Sequence, residues 1–325
     1  MTFFRDFELI VGVIFIALVL HDVFQGVVVP RWSSRRWRIA PLLIDKLWPL
    51  WRSLGQRRPE GDAREDFLGT YAPLSLMLIL ILWVGLLTLG FGLIFWSLRT
   101  HFTPTLHSFG EALYVAGVTI LTIGFGDYAP NDGMARVFTL VAGASGLAIF
   151  ALVISLLFTL YTAFERREVL SLGLDARAGS PPSGVALLQN YAELGLLDEL
   201  PDFFEQWEEW SAQVLQSHIA YPLLPFFRSS HDGESWIASL GAVLDGATLL
   251  LTTVAPCENC GRKPVGAAQL MFRMGTHTVV DLSHWFGFRF DEDAQSPVGV
   301  ERSEFDRARQ QLQRAGFALR PADEA

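Results

Sequence analysis

The chain has 325 residues, of which 51% are hydrophobic and only 18% are charged, and its formal net charge is -9. This composition is too apolar for an ordinary soluble protein of this length, so the sequence indicates a membrane protein. The net charge is negative and argues against a phosphate-rich partner, so we expect no binding to nucleic acid.

The first hydrophobic segment runs from about Glu8 to Val29 and is interrupted near its end by His21, Asp22 and Gln25. It lacks a small-residue cleavage site, so we expect it to remain as a transmembrane helix and not to be removed as a signal peptide. Charged residues near a helix end can reach water or a neighbouring helix, which makes the interruption tolerable.

Two further segments, Phe67 to Leu98 and Val137 to Phe164, contain no Asp, Glu, Lys or Arg. Each exceeds the roughly 20 residues that cross a hydrocarbon core about 30 Å thick. The sequence therefore predicts three transmembrane helices in all.

Basic residues are concentrated between the first two spans, where residues 31–64 hold nine basic and three acidic residues. The positive-inside rule places this segment in the cytoplasm, which leaves the N-terminus outside and everything after Phe164 in the cytoplasm. We expect a bacterial inner (plasma) membrane. The mixture of cations and aromatic residues favours a helix lying along the inner membrane surface, with a solvated linker as the alternative. The aromatic residues are Trp32, Trp37, Trp48 and Trp51.

The segment from Ser108 to Tyr128 lies between the two strong spans and is too short to cross the membrane and return as two helices. We predict a re-entrant element, with a half-helix from about Phe109 to Leu121 entering from outside and an extended return. Non-helical backbone at membrane depth is tolerated only where it is buried in protein or lines a water-filled path. The segment therefore implies a pore.

The extended return has glycines at alternate positions, 124 and 126. Potassium sheds its water only where carbonyl oxygens replace it, and glycines can adopt the left-handed dihedrals that turn successive carbonyls to one side. We predict an ion filter with a hydroxyl at its inner end, two apolar side chains packed behind it and a carboxylate at its outer mouth. Its residues are Thr122, Ile123, Gly124, Phe125, Gly126 and Asp127.

Residues 122–127 resemble the Thr-Val/Ile-Gly-Tyr/Phe-Gly-Asp signature of the potassium-channel pore family, preceded by a pore helix and flanked by two membrane helices. The resemblance covers residues 67–166. It implies that bound K+ ions are coordinated by the carbonyls of residues 122–125 and by the Thr122 hydroxyl, and that Asp127 braces the filter from behind.

The chain departs from the family pattern at three positions. Phe125 replaces the commoner tyrosine but keeps the carbonyl, so selectivity should survive. Leu121 stands where a second threonine is usual, which leaves filter stability and inactivation open. Val118 occupies a position that is acidic in some bacterial members, so a carboxyl pair with the filter aspartate should be missing.

A single filter sequence occurs in the chain, whereas the family builds a closed ring from four, so the resemblance implies three further copies of the chain as partners. The helix from about Met134 to Phe164 would line the inner cavity. Gly146 and Gly143 are candidate hinge residues, and close helix packing is the alternative reason for them. Helical spacing from Gly146 predicts that the pore is lined by Phe150, Ile154 and Phe158, with Phe158 as a hydrophobic constriction.

The C-terminal region is predicted to be mostly helical, because apolar residues recur at three- and four-residue spacing. The apolar run from Trp236 to Ala255 contains Asp245 and is interpreted as a buried core helix, not a fourth span. A turn-rich connection near residues 170–185 separates this region from the pore. We predict an N-terminal transmembrane helix with a basic interfacial segment at 1–65, a pore domain at 66–166 and a cytoplasmic domain at 167–325.

No membrane segment carries arginines at every third position, so a voltage sensor is not expected.

Two features could sense a ligand. A Zn2+ site is possible at Cys257, Cys260, His277 and His284, with redox sensing or plain core cysteines as alternatives. The acidic run could hold divalent cations but is more typical of a solvated helix face, and it comprises Asp198, Glu199, Asp202, Glu205, Glu208 and Glu209.

The expected fold class is mainly α, a membrane protein with outer helix, re-entrant pore helix and filter, and inner helix, assembled as a tetramer. An extra N-terminal transmembrane helix and an α-helical cytoplasmic domain complete it. The predicted function is passive, potassium-selective conduction, with no enzyme activity and no organic substrate. The alternatives are a non-selective cation channel and a membrane-anchored metal or redox sensor.

Overall fold

The structure is a computed structural model, and it describes residues 2–29, 39–229, 235–255, 263–288 and 301–321. The described residues are almost entirely helical, which confirms the predicted mainly α fold with several long apolar helices. The chain divides into two compact units, Met1–Tyr161 and Thr162–Ala325.

In its described residues, the first unit contains five α-helices and the beginning of a sixth. In chain order they are α1 (Thr2–Val23), α2 (Ile39–Gly55), α3 (Asp62–Gly69), α4 (Tyr71–Ser97), α5 (Phe109–Ile120) and α6 (Gly133–Ala178). A π-helical turn, Phe24–Val28, follows α1. Two short strands, β1 (Phe102–Thr103) and β2 (Ala129–Pro130), pair antiparallel.

Among the described residues, three stretches are long and apolar enough to cross a membrane: Phe4–Val27, Asp62–Ser97 and Gly133–Ala178. They correspond to the three spans predicted from the sequence. At 1.5 Å per residue α6 is about 69 Å long, more than twice the thickness of a hydrocarbon core. Only its first part is therefore needed to cross the membrane.

The N-terminal helix α1 packs closely against α4 at a pair of glycines. A Cβ added at Gly12 would lie 2.6 Å from the carbonyl oxygen of Gly90, and one added at Gly90 would lie 3.1 Å from the carbonyl oxygen of Gly12. Small residues allow such an approach of two helix backbones. Near the start of α1, Arg5 Nε donates a hydrogen bond to the carbonyl of Ser97, 2.8 Å away, at the carboxyl end of α4.

Asp22 is fully buried and joins α1 to two other helices. Its carboxylate accepts hydrogen bonds from the first two N–H groups of α2, those of Ile39 at 3.0 Å and Ala40 at 3.1 Å. Trp83 Nε1 of α4 donates to the same carboxylate at 2.8 Å. A carboxylate at a helix N-terminus satisfies N–H groups that have no partner within the helix. The charge that interrupts the first span therefore reaches neighbouring helices, as the sequence suggested.

Helix α2 is held against α3 and the start of α4 by aromatic side chains. The rings of Trp51 and Phe67 are stacked with their centroids 4.6 Å apart, and Trp51 Nε1 donates to the Phe67 carbonyl at 3.1 Å. The Tyr71 hydroxyl donates to the carbonyl of Ile44 at 2.6 Å. The basic segment is thus helical over Ile39–Gly55 and again from Asp62, whereas its earlier part, with Trp32 and Trp37, lies outside the described residues.

The second unit contains the end of α6 and five further helices, α7 (Gly184–Glu193), α8 (Leu200–Ala220), α9 (Trp236–Thr252), α10 (Lys263–Phe286) and α11 (Arg302–Arg314). Its core is centred on the buried aromatic face of α8, which includes Phe204 and Trp207. Helix α9 contributes Val243 and Ala247 to the same core, which confirms its interpretation as a core helix. Partial desolvation raises the pKa of Asp245 on α9.

We expect Asp22→Ala to lower the free energy of unfolding by about 3 kcal/mol, because three buried donors would lose their acceptor and each unpaired group costs about 1–3 kcal/mol. Thermal unfolding of the detergent-solubilised protein, followed by tryptophan fluorescence, measures this. Asp6→Ala is the matched control, since Asp6 is an exposed carboxylate on the same helix. Equal midpoints for the two variants would contradict this role of Asp22.

Candidate functional site

The short helix α5 begins with a capping box. The Ser108 hydroxyl accepts a hydrogen bond from the Glu111 N–H at 3.2 Å, and the Glu111 carboxylate accepts one from the His107 N–H at 2.7 Å. Reciprocal bonds of this kind satisfy two free N–H groups at a helix start. The sequence pattern Ser-x-x-Glu is the local signal for this helix start.

Helix α5 ends at Ile120 in a Schellman motif. The N–H of Thr122 donates to the carbonyl of Thr119 at 3.0 Å, and the N–H of Ile123 donates to the carbonyl of Val118 at 2.8 Å. The residue after the C-cap in this motif adopts a left-handed conformation and is usually glycine. Here it is Thr122, with a φ of 57°. A β-branched residue in this conformation is strained, by about 1–2 kcal/mol.

Beyond the helix, the residues predicted to form the filter have an alternating backbone. Thr122, Gly124 and Gly126 have φ values of 57°, 61° and 80°, whereas Ile123 and Phe125 between them are not left-handed. In an ordinary strand successive carbonyls point to opposite sides. Alternation between left-handed and ordinary residues reverses every second peptide plane, so that successive carbonyls can share one side. The segment is therefore neither helix nor strand.

Aromatic side chains lie behind this segment. The rings of Tyr114 on α5 and Phe125 are nearly parallel, with centroids 6.5 Å apart. Tyr114 also contacts the ring of Tyr128 edge-on at 6.4 Å and shares a hydrogen bond with Asp127. The carboxylate at position 127 thus interacts with the half-helix within the same chain, and its bracing role in a filter stays a prediction.

A small antiparallel strand pair, β1 before α5 and β2 after the predicted filter, is called the clip. Asn131 N–H donates to the carbonyl of His101 at 3.0 Å, and the ring of His101 contacts the carboxylate of Asp132. Asp132 also caps α6 by accepting a hydrogen bond from the Ala135 N–H at 2.9 Å. This backbone donor lowers the pKa of Asp132, and His101 acts in the same direction. The clip fixes both ends of the loop around the filter.

The filter residues are exposed in the isolated chain. The side chains of Ile123 and Phe125 are 49% and 67% exposed, and a Cβ added at Gly124 or Gly126 would meet no atom within 4 Å. Large apolar side chains on a surface mark an interaction site more often than a free surface. One chain therefore leaves one side of the filter uncovered.

The two predicted hinge glycines of α6 differ in their surroundings. A Cβ at Gly146 would lie 2.1 Å from the carbonyl oxygen of Ile120, the last residue of α5, whereas one at Gly143 would lie 3.7 Å from the nearest atom. Close packing accounts for Gly146, and a hinge at either position stays a prediction. Of the predicted pore-lining residues, Ile154 and Phe158 are exposed and Phe150 is half-buried.

The predicted zinc site cannot be assembled from the described residues. Cys257 and Cys260 lie outside them, and His277 Nε2 on α10 is 3.5 Å from Asp281 Oδ2. His284 lies two turns later on the same helix. Within the part of the chain that the structure describes, no group of three or more His, Cys, Asp or Glu side chains could hold a metal ion, and this includes the acidic run at residues 198–209.

We expect Gly146→Ala to destabilise the protein by about 1–3 kcal/mol, because the new methyl group would overlap a backbone carbonyl that cannot rotate away. Gly143→Ala is the matched control, and its ordinary van der Waals contact predicts an unchanged or slightly higher unfolding temperature. Thermal unfolding in detergent compares the two. If Gly146→Ala left stability unchanged, close packing would not explain the glycine.

Comparison with known proteins agrees with this arrangement. Residues 76–163 match the model of the ion channel family. The uncharacterized membrane protein YdjJ of Bacillus subtilis (strain 168) is 28% identical over 213 residues, which are 63% of this chain and 60% of YdjJ. The aligned part is thus less than two thirds of that relative, and no solved structure matches the chain. The family match contains α5, the residues predicted to form the filter and most of both flanking helices, and it confirms the resemblance: this part of the chain is similar to the ion channel family.

Proposed function

We propose that the chain is a subunit of a potassium-selective channel that conducts K+ passively through a pore built from four copies. The observation that carries this proposal is the alternating backbone at Thr122, Gly124 and Gly126, directly after the end of α5. It supplies the geometry that a row of coordinating carbonyls needs. Potassium is then the transported ion, held by backbone oxygens in place of its water.

The strain at Thr122 supports the same function. Glycine would adopt the left-handed conformation at position 122 without the steric cost that a threonine has there. Strained residues persist where the surrounding structure holds them, and they occur preferentially at functional sites. A hydroxyl that completes the innermost ion site gives a physical reason for threonine at this position.

The tetramer follows from the exposure of the filter. One chain provides one row of carbonyls and leaves Ile123 and Phe125 exposed. Four chains around one axis would surround the ion and cover these apolar side chains. The exposed face of α6, which includes Ile154 and Phe158, would then border the cavity below the filter, with Phe158 as the narrowest point.

For orientation, the basic residues of segment 31–64 support a cytoplasmic location of α2 and an outer location of the filter mouth. The second unit is then cytoplasmic, and the protein lies in a bacterial plasma membrane. Because α6 belongs to the pore domain and also enters the second unit, a change in that unit can act on the pore through this helix.

Ion flux in liposomes tests the proposal. We expect purified protein to carry K+ at least tenfold faster than Na+, and Gly124→Ala to abolish the difference, because alanine is strained at a φ of 61°. Gly133→Ala is the matched control, since Gly133 also has open space around it but no left-handed backbone. Equal K+ and Na+ flux in the unmodified protein would favour a non-selective channel, and no flux at all would refute the proposal.

The role of the Thr122 hydroxyl predicts an unusual pair of effects for Thr122→Gly. We expect unfolding stability near that of the unmodified protein, because the relief of about 1–2 kcal/mol of strain offsets the entropic cost of glycine, about 0.5–1 kcal/mol. We expect K+ over Na+ selectivity in the flux assay to fall nonetheless. A stable variant with full selectivity would show that the hydroxyl is not an ion ligand.

A further inference from the structure

Arg167 is a buried cation in the part of α6 that belongs to the second unit. Its side chain is 1% exposed. The guanidinium donates hydrogen bonds through Nη2 to the carbonyl of Phe227 at 2.8 Å and through Nε to the Glu168 carboxylate at 3.0 Å. Its Nη1 lies 3.3 Å from Nε2 of His218 on α8. A buried charge needs such partners, because an unpaired one is strongly destabilising.

The hydrogen bonds of His218 define its protonation state. Its Nδ1 lies 2.8 Å from the carbonyl oxygen of Val214 and therefore carries a proton that it donates. Its Nε2 is then unprotonated and accepts the hydrogen bond from Arg167 Nη1. A second proton on the ring would remove this acceptor and place two cations 3.3 Å apart. The contact therefore requires neutral His218.

Among the residues that the structure describes, no carboxylate acts on His218 to stabilise its protonated form. From α9 the ring of Trp236 lies 5.1 Å away, and Ser217 contributes a hydroxyl 3.4 Å from Nδ1. The described charged residue that acts on the imidazole is on α6. Arg167 faces the imidazole directly, while Glu168 is bonded to Arg167. Burial, and then the positive charge of Arg167, lower the pKa of His218 from 6.5 to about 4.

We propose that the Arg167–His218 contact is a proton-sensitive switch, in which protonation of His218 releases the end of α6 from α8 and thereby regulates conduction. The regulatory part rests on the proposed channel function, whereas the release itself does not. A cavity on the Arg167 side of the contact is lined by Arg166, Trp210, Gln213 and Ser217 among others.

The direction of the pH effect follows from linkage. A released His218 would bind protons with an ordinary pKa near 6.5, whereas the packed one binds them only near pH 4. Between these values the released state takes up more protons, so release becomes more favourable as pH falls, by up to about tenfold for each pH unit. At neutral pH both states are unprotonated and the contact is at full strength.

Hydrogen exchange on the full-length protein in detergent tests the release. We expect amide protection in residues 163–175, corrected for intrinsic exchange rates, to fall by several-fold to tenfold per unit between pH 6.5 and 5. His218→Gln should remove this dependence, because the glutamine carbonyl can accept from Arg167 but cannot be protonated in this range. His277→Gln, at an exposed histidine on α10, is the control and should behave like the unmodified protein.

Different results test the proposed switch and the proposed channel function. Protection that does not change with pH in the unmodified protein, or that changes equally in His218→Gln, overturns the switch. If His218→Gln fails to fold, the pH dependence of amide protection in the unmodified protein decides. The switch requires this dependence to have its midpoint between about pH 4 and 6.5. The regulatory part is tested in liposomes by varying the pH on the side of the second unit. If K+ flux then depends on pH equally in the unmodified protein and in His218→Gln, His218 does not regulate conduction. Absence of any flux refutes the proposed function, and hydrogen exchange still decides on the release.

Discussion

The left-handed backbone at Thr122 is the constraint on which the pore domain depends. A half-helix that stops inside a pore domain must satisfy its last carbonyls and also turn the chain back, and the hydrogen bonds to Val118 and Thr119 achieve both. The same turn sets the first of three alternating left-handed residues. The end of α5 and the start of the filter are therefore one structural element, and a change at position 122 affects both.

The end of α5 is held in place by contacts that leave no room for a side chain. Gly146 of α6 lies against the carbonyl of Ile120, and a Cβ added at Gly92 of α4 would lie 2.7 Å from Leu113 on α5. The half-helix is thus packed closely by the helices before and after it. A backbone carbonyl is a rigid neighbour, so the position of α6 fixes where the filter begins. This makes packing, in addition to any hinge, a route by which motion of α6 would reach the proposed ion sites.

The sequence predicted the parts of this fold whose signals are local. The three spans follow from composition, and the half-helix and filter follow from a short motif, since a re-entrant segment has few alternatives. The capping box of α5 was also readable, as Ser108 and Glu111 have the required spacing. The role of Asp22 was not, because Trp83 lies 61 residues away in the chain and nothing local connects them. The close contact at Gly146 likewise depends on the angle between two helices, which hydrophobic periodicity does not define.

Each unit contains a buried charged residue, Asp22 in the first and Arg167 in the second. The two residues differ in whether their hydrogen-bond partners titrate. Asp22 accepts hydrogen bonds from two backbone N–H groups and an indole, and none of these donors titrates near neutral pH. Its network is suited to a permanent joint between α1, α2 and α4.

Arg167 also has a backbone partner, but one of its acceptors is an imidazole, which loses its acceptor capacity when it binds a proton. A buried cation whose satisfaction depends on a titratable acceptor is stable only over part of the pH range. Because this cation lies on the helix that also belongs to the pore domain, its loss of a partner has a direct covalent path to the pore.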